Sequence, residues 1–315
     1  MTANTARALS RRRVLSSGLA VLGTTLLAPG LARPAPGIAP QGAVTALAFD
    51  GPAILAATPD GLLRRETGTW TRLDVSANPA ALATHPDRPG TILAGWRDGA
   101  LRRSNDGGQS WTRADAGLPG AAMLSIAVAA QAPDTIYAAV EGDGLWRSED
   151  GGQTWAFVMD RPYLAGAEHD VLSLVSVAHE TGMGGIWLYA GTRAGLTRVP
   201  DCFCRWQDVV AGDALDALVA GDVPEAAASL PEGEPVEILA LAPDAPERLL
   251  AALPSGLWLS VDAGVNWART ASAPLTALAV DPADPLHVIA ADAAGLRVSR
   301  DGGTDWTPFD LSKDS

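Results

Sequence analysis

Short apolar runs alternate with turn residues along most of the chain, and the alternation repeats. Runs at 44–49, 80–84, 124–129, 172–178, 236–241 and 275–280 read as strands. Each is followed by a turn-rich phrase, such as 85–90 or 281–285, then by a second apolar run and a glycine: Gly61, Gly99, Gly144, Gly195, Gly256 or Gly295. A third run ends in an eight-residue phrase that recurs at 104–111, 148–155, 260–267 and 299–306. It starts on Ser, carries Asp in third place (Asp106, Asp150, Asp262, Asp301) and Gly in fifth, and closes on Trp (Trp111, Trp155, Trp267, Trp306). Residues 65–70 hold a shortened copy. Residues 199–206 keep Asp201 and Trp206 around Cys202-Phe203-Cys204. Each unit therefore predicts four strands joined by tight turns, and no long helical periodicity competes with that reading.

Such a period specifies an all-β repeat fold, a β-propeller of about six four-stranded blades. The blades fall at about 44–76, 79–119, 123–162, 170–210, 235–272 and 275–312, with an insertion at 211–234. A seventh blade is the alternative if that insertion hides a diverged unit, although it is short for one. Because each unit carries its own four strands, the way the ring closes is open at this level. Within the phrase, glycine permits positive φ, Asp accepts bonds from turn N–H groups, and Trp is the first large residue of the outer strand. These tryptophans and aspartates read as structural.

The phrase resembles the Asp-box, or bacterial neuraminidase repeat, of sialidase-like propellers. Four copies match well and two weakly, over nearly all of the chain beyond its N-terminal segment. That resemblance is specific for fold and unspecific for function. It extends to sialidases, other glycosidases, sortilin-type receptors and the photosystem assembly factors related to Ycf48, and it places the phrase away from the catalytic face. The sialidase chemistry it implies is not supported by the residues. The Arg-Ile-Pro phrase is missing, and Tyr137 and Tyr189 fall in second-strand runs where packing is the simpler role.

The N-terminus changes the compartment. Arg11-Arg12-Arg13 precede an uncharged apolar stretch, 14–28, and small residues Gly30 and Ala32 follow. Residues 1–32 thus resemble a twin-arginine-type signal peptide, with 33–43 a linker and 44–315 a single propeller domain. The expected location is exported, periplasmic or extracellular, with no stable membrane span once the signal is removed. The whole chain carries a formal charge of −13, and the signal segment contains Arg but no acid, so the exported part is more acidic still. Such a body repels a phosphate backbone, which excludes nucleic acid as a partner.

Chemistry-bearing motifs are few. His85, His169, His179 and His287 show no metal-ligand spacing, and His85 and His287 read as exposed turn residues. Cys202 and Cys204 are the only cysteines. They predict either a disulfide that rigidifies a variant turn or, less simply, a copper or redox site. No cofactor is expected. Topology points further. In a four-stranded blade the second-to-third turns and the blade-to-blade connections share one face. Asp60, Trp96, Arg97, Asp98, Glu141, Asp143, Arg193 and Asp292 lie in those turns and are the candidate binding residues. The two longest insertions, 159–170 and 208–235, fall on the same face. The sequence therefore predicts a non-catalytic exported binding module with a cell-envelope protein partner. The alternatives are a glycoside hydrolase or glycan-binding module, and a copper or redox accessory protein.

Overall fold

The computed structural model describes residues 40, 42–76, 78–179, 181, 185–209 and 228–310. The chain separates into residues 1–36 and 37–315, and the description concerns the second unit. The expected signal segment and most of the linker, together with 211–227 of the insertion, lie outside the described residues. Those that are described form no helix.

Six small antiparallel sheets make a six-bladed propeller. Blade one comprises β1 (Ala46–Asp50), β2 (Ala53–Thr58), β3 (Gly61–Glu66) and β4 (Thr69–Arg72). Blade two comprises β5 (Ala81–Ala83), β6 (Ile92–Gly95), β7 (Leu101–Ser104) and β8 (Thr112–Arg113). Blade three follows with β9 (Met123–Ala129), β10 (Ala132–Val140), β11 (Gly144–Ser148) and β12 (Ala156–Met159). A separate hairpin, β13 (Tyr163–Leu164) and β14 (Ala167–Glu168), precedes blade four. Blade four holds β15 (Val171–Val177), β16 (Trp187–Thr192) and β17 (Gly195–Pro200). Blade five holds β18 (Ile238–Ala240), β19 (Leu249–Leu253), β20 (Gly256–Ser260) and β21 (Ala268–Ala271). Blade six ends the series with β22 (Ala277–Asp281), β23 (Asp284–Asp292), β24 (Gly295–Ser299) and β25 (Thr307–Pro308). Blade four departs from the expected four strands: only a bridge between Arg198 and Gln207 stands in the outer position.

Ring closure uses no exchanged strand. The innermost strands pack in sequence, β1 on β5, β5 on β9, β9 on β15, β15 on β18, β18 on β22 and β22 back on β1. Since β15 meets β18 directly, there is no place between blades four and five for a seventh blade. The core is accordingly divided into six inter-blade clusters, and each takes one tryptophan from an outer strand or its turn. Trp70 lies between blades six and one, Trp111 between one and two, and Trp155 between two and three. Trp206, Trp267 and Trp306 serve the remaining interfaces. Closure rests on burying apolar area of this kind.

The repeated phrase folds the same way in blades two, three, five and six. The buried Ser104 hydroxyl donates to Asp106 Oδ1 at 2.8 Å and accepts from Gly108 N at 2.8 Å. Asp106 then accepts from Ser110 N at 2.9 Å and from its hydroxyl at 2.5 Å. Ser148–Asp150, Ser260–Asp262 and Ser299–Asp301 repeat the serine–aspartate bond at 2.8, 2.8 and 2.7 Å. These bonds favour the ionised carboxylates. Bonds from Ser110 and Thr154 hold Asp106 and Asp150 at about 2. At Asp262 burial opposes ionisation, but bonds from Asn266 and Ser260 outweigh it, and Asp301 is lowered chiefly by the Asp305 N–H.

The recurrent glycine at the entry to each third strand takes a positive φ in all six blades, and in blades two, three and five it has a steric cause as well. A side chain at Gly99 would meet the Gly120 backbone at 2.5 Å, and at Gly144 and Gly256 it would strike the Met159 and Ala271 carbonyls. In these three blades the chain leaving the outer strand passes directly over the glycine, whereas Gly195 and Gly295 have open space there. Two histidines differ from expectation. His85 is buried and bridges blades, with Nε2 3.2 Å from Ala130 O and Nδ1 accepting from Asp87 N at 3.1 Å. His287 is half-buried, 2.9 Å from Asp281 Oδ2, its ring edge-on to Phe49 across the closure. The inter-blade seam, not solvent, is what these turn residues face.

Candidate functional site

The turns between second and third strands do share a face with the blade-to-blade connections. Arg72 at the end of β4 reaches Asp60 O at 2.5 Å, and Met123 N donates to Trp96 O at 3.0 Å. Gly142 N donates to Asp170 Oδ1 at 2.8 Å, and Ser255 N to Glu234 Oε2 at 2.9 Å. The connecting segments are thus pinned to the turns they cross.

The residues predicted to converge there take different roles. Arg97 and Arg193 are exposed, as are Asp60, Asp98 and Glu141, and Arg97 lines the central channel. Asp98 Oδ1 accepts its own turn's Ala100 N at 3.1 Å. Asp292 accepts Arg297 Nε at 2.5 Å and Ala294 N at 2.7 Å. Asp143 Oδ2 accepts the Trp146 indole N–H at 2.5 Å. Trp96 is buried, with the Arg102 guanidinium 5.9 Å from its ring centroid. Of the eight, only Arg97 reaches the channel.

That channel is a concavity lined by the first strands of all six blades. It holds about 610 Å³, a volume within the range of small-ligand sites. Its wall is built from the innermost strands and is mixed in character: Leu82, Leu124, Leu172, Val175, Ile238 and Val280 are half-exposed along it, beside the hydroxyl side chains of Thr45, Ser125 and Thr276. Among the described lining residues the ionisable groups are one carboxylate, Glu237, one guanidinium, Arg97, and the buried His85. Sequence reasoning placed the site in the turns and passed over this wall. Its signal is present in first strands such as 275–280, where apolar residues stand at consecutive positions rather than alternating, as strands buried on one face and lining a cavity on the other require.

Nucleophilic tyrosine chemistry finds no support. Tyr137 and Tyr189 are buried, and burial pushes both hydroxyls up, that of Tyr137 to about 12. Tyr189 donates to Ala263 O at 2.9 Å, a structural bond between blades four and five. Cys202 and Cys204 form a disulfide, with Cα atoms 5.5 Å apart, so the sulfurs offer no thiolate to a soft metal in this state. Among the described residues no group of three His, Cys, Asp or Glu side chains is placed to hold a metal ion. No described helix is long and apolar enough to cross a membrane.

No protein-family model matches the chain, and no curated protein matches it in sequence. Solved structures do match in fold. A GH74 xyloglucanase from Xanthomonas campestris aligns at 21% identity and TM-score 0.54, over 84% of this chain and 46% of its own. The GH74 enzyme of Niastella koreensis aligns at 18% identity and TM-score 0.57, over 84% of this chain and 45% of its own. Ycf48, solved bound to a D1 peptide, aligns at 17% identity and TM-score 0.50, over 87% of this chain and 83% of its own. The chain spans less than half the length of the two GH74 enzymes. At these identities the likeness shows the fold, a β-propeller, and nothing finer.

Proposed function

We propose that this chain is an exported propeller that binds a protein partner on its connection-bearing face, with an apolar segment of that partner entering the central channel. The half-exposed aliphatic side chains of the channel wall carry the reading. A channel of about 610 Å³, with half-exposed Leu82, Leu124, Val175 and Ile238 standing beside Thr45, Ser125, Thr276 and Arg97, suits an apolar side chain flanked by polar contacts. Glycoside hydrolysis in the same cavity asks for two carboxylates flanking the bond, and the described wall supplies only Glu237. The reading is accordingly non-catalytic. The basic N-terminal segment, resembling a twin-arginine signal, supports an envelope location, periplasmic or extracellular. Ycf48's bound peptide offers a precedent for the fold, and the GH74 likeness makes a glycan the alternative ligand.

The test uses the mature protein as bait on a native envelope fraction, beside Ile238→Glu and an Arg97→Ala, Arg193→Ala pair, all matched in melting. The expected result is one retained protein that is lost with Ile238→Glu and weakened with the arginine pair. Retention indifferent to Ile238→Glu removes the channel from the reading. Sugar release from a glycan panel, with no protein retained, replaces it with the hydrolase.

A further inference from the structure

Blade three carries an addition that the propeller does not need. Between β12 and β15 the chain makes the β13–β14 hairpin, in which Tyr163 pairs with Glu168 and Leu164 with Ala167. Ala165 and Gly166 supply the positive φ of its tip, 49° and 86°. The hairpin is braced at its base. Arg161 reaches Glu168 Oε2 at 2.5 Å and Asp170 Oδ1 at 3.5 Å, and His169 N donates to Pro162 O at 2.9 Å. Tyr163 is nonetheless 69% exposed, its hydroxyl donating only to Gly166 O at 2.9 Å. A braced element that holds an aromatic ring out in water contributes little to the core.

Beside the hairpin lies a second cavity, about 410 Å³, lined by Asp143, Trp146, Phe157, Asp160, Arg161 and Glu168 with Gly142. Trp146 and Phe157 meet edge to face at 5.7 Å, and Phe157 is 45% exposed. The Trp146 indole is fixed by its bond to Asp143, while the Trp206 indole donates to Asp160 O at 2.8 Å and anchors the strand end. The Asp160 carboxylate is exposed and makes no bond or ion pair among the described residues. Arg161 is already held by Glu168 and Asp170, which leaves Asp143, bonded to the Trp146 indole, and Asp160 without a cationic partner among the described residues. Tyr163 stands directly opposite Glu168 in the hairpin, on the same face.

We infer that this cavity docks an extended basic peptide segment, with a lysine or arginine side chain entering between Asp160 and Asp143. Its alkyl stem would lie on Phe157 and Trp146, and a flanking apolar side chain would meet Tyr163. Charge selects the occupant: the site is net negative on a chain of formal charge −13, and aromatic faces add attraction for a cation. The inference rests on the protein-binding reading and locates a second contact of the same partner, on the same face.

The probe is an acetylated Leu-Lys-Leu-Lys-Leu amide, titrated into the isotope-labelled mature protein beside its Lys→Gln and Lys→Glu versions. The Trp146 indole N–H signal is the readout. The lysine peptide is expected to shift it saturably, and the affinity to fall about tenfold for Asp160→Asn, as for one lost charge contact of about 1.4 kcal/mol. Phe157→Ala should weaken binding similarly, and added salt should weaken it throughout. Equal response to all three peptides, an unmoved Trp146 signal, or unchanged affinity in Asp160→Asn overturns the inference. So does a shift produced by a xyloglucan oligosaccharide and not by the lysine peptide. Envelope capture separates the two levels. If Asp160→Asn still retains the partner while the peptide fails, only the docking site falls. If native protein retains none, the underlying reading fails.

Discussion

In blades two, three, five and six, the turn before the outer strand is closed by a buried serine and an aspartate. In blade four the same place holds Cys202, Phe203 and Cys204. Both solutions pass through a left-handed residue. It is Gly107, Gly151, Ala263 or Gly302 at φ 73°, 72°, 57° and 77° in the regular turns, and Phe203 at φ 53° in blade four. A bulky residue there costs about 1–2 kcal/mol. In blade four the disulfide fixes the corner, and the Phe203 ring packs across the seam, 5.9 Å from Tyr137 and 5.7 Å from the Arg147 guanidinium. The regular turns hold themselves by local hydrogen bonds. Blade four exchanges that local closure for a covalent bond plus a contact with its neighbour, and it loses its outer strand to a single bridge.

The largest effect that sharpens this contrast is expected at the tryptophans. Trp267 is buried between blades four and five and donates to Gly264 O at 2.8 Å. Trp267→Ala should cost about 3–5 kcal/mol in denaturant unfolding. Trp206, half-exposed beside the disulfide corner, should cost less, since less area leaves water. Equal losses would mean that blade four seals its seam as fully as the regular blades.

The next pair of changes addresses the two closures directly. Ser260→Ala leaves the buried Gly264 N–H without its acceptor at 2.8 Å and removes the donor to Asp262, a loss of about 1–3 kcal/mol. Cys204→Ser, or a dithiol reductant on the native protein, opens a three-residue loop, for which the chain-entropy relation gives about 1–2 kcal/mol. Reduction should lower the melting temperature and loosen the Tyr137 and Arg147 contacts. An unchanged melting temperature would show that Phe203 packing holds the corner unaided.

Acid should separate the closures by mechanism. Hydrogen bonds from Ser110 and Thr154 hold Asp106 and Asp150 at about 2, below the ordinary 3.8. A depressed carboxyl contributes stability that is present above the unfolded value and disappears as pH falls through the folded one. The turns of blades two and three should therefore loosen between about pH 4 and pH 2. Amide exchange at Ser110 and Thr154, whose N–H groups donate to those carboxylates, reads this directly. The disulfide corner has no such carboxylate bond in its closure. Exchange at Phe203, whose N–H donates to Pro200 O at 2.8 Å, should stay flat over the same range.

The regular turns were the legible part of the chain because each is closed by residues a few positions apart, so spacing alone encodes the contact. Strand order and the six structural tryptophans followed from the same period. The candidate site was less legible because its contacts are made between blades. Trp96 stands in a turn, yet it is buried, with Arg102 beside its ring. His85 opens a solvent-like Pro-Asp phrase, yet it bonds the next blade. The channel wall and the β13–β14 hairpin depend on which side of a strand faces the axis, and on a short pairing inside a loop. Local propensity fixes neither.

Ala263 gives the smallest test and bears on what both closures share. It is the one regular turn that lacks glycine at the left-handed position, and its N–H donates to Glu247 O at 2.9 Å while its carbonyl accepts the Tyr189 hydroxyl. Ala263→Gly relieves about 1–2 kcal/mol of left-handed strain. It also gives the unfolded chain freedom worth about 0.4–1 kcal/mol. The net expectation is a gain of roughly 0.5–1 kcal/mol, read as a small rise in denaturation midpoint with unchanged slope. In the mirror substitution, Gly107→Ala, the nearest side-chain atom to the new methyl group is 3.6 Å away on Arg64, so strain alone should appear and the sign should reverse. If Ala263→Gly instead destabilises, the Glu247 and Tyr189 bonds already hold that residue at no net cost. Blade five would then resemble blade four, with a left-handed corner kept in place by contacts from outside its own turn.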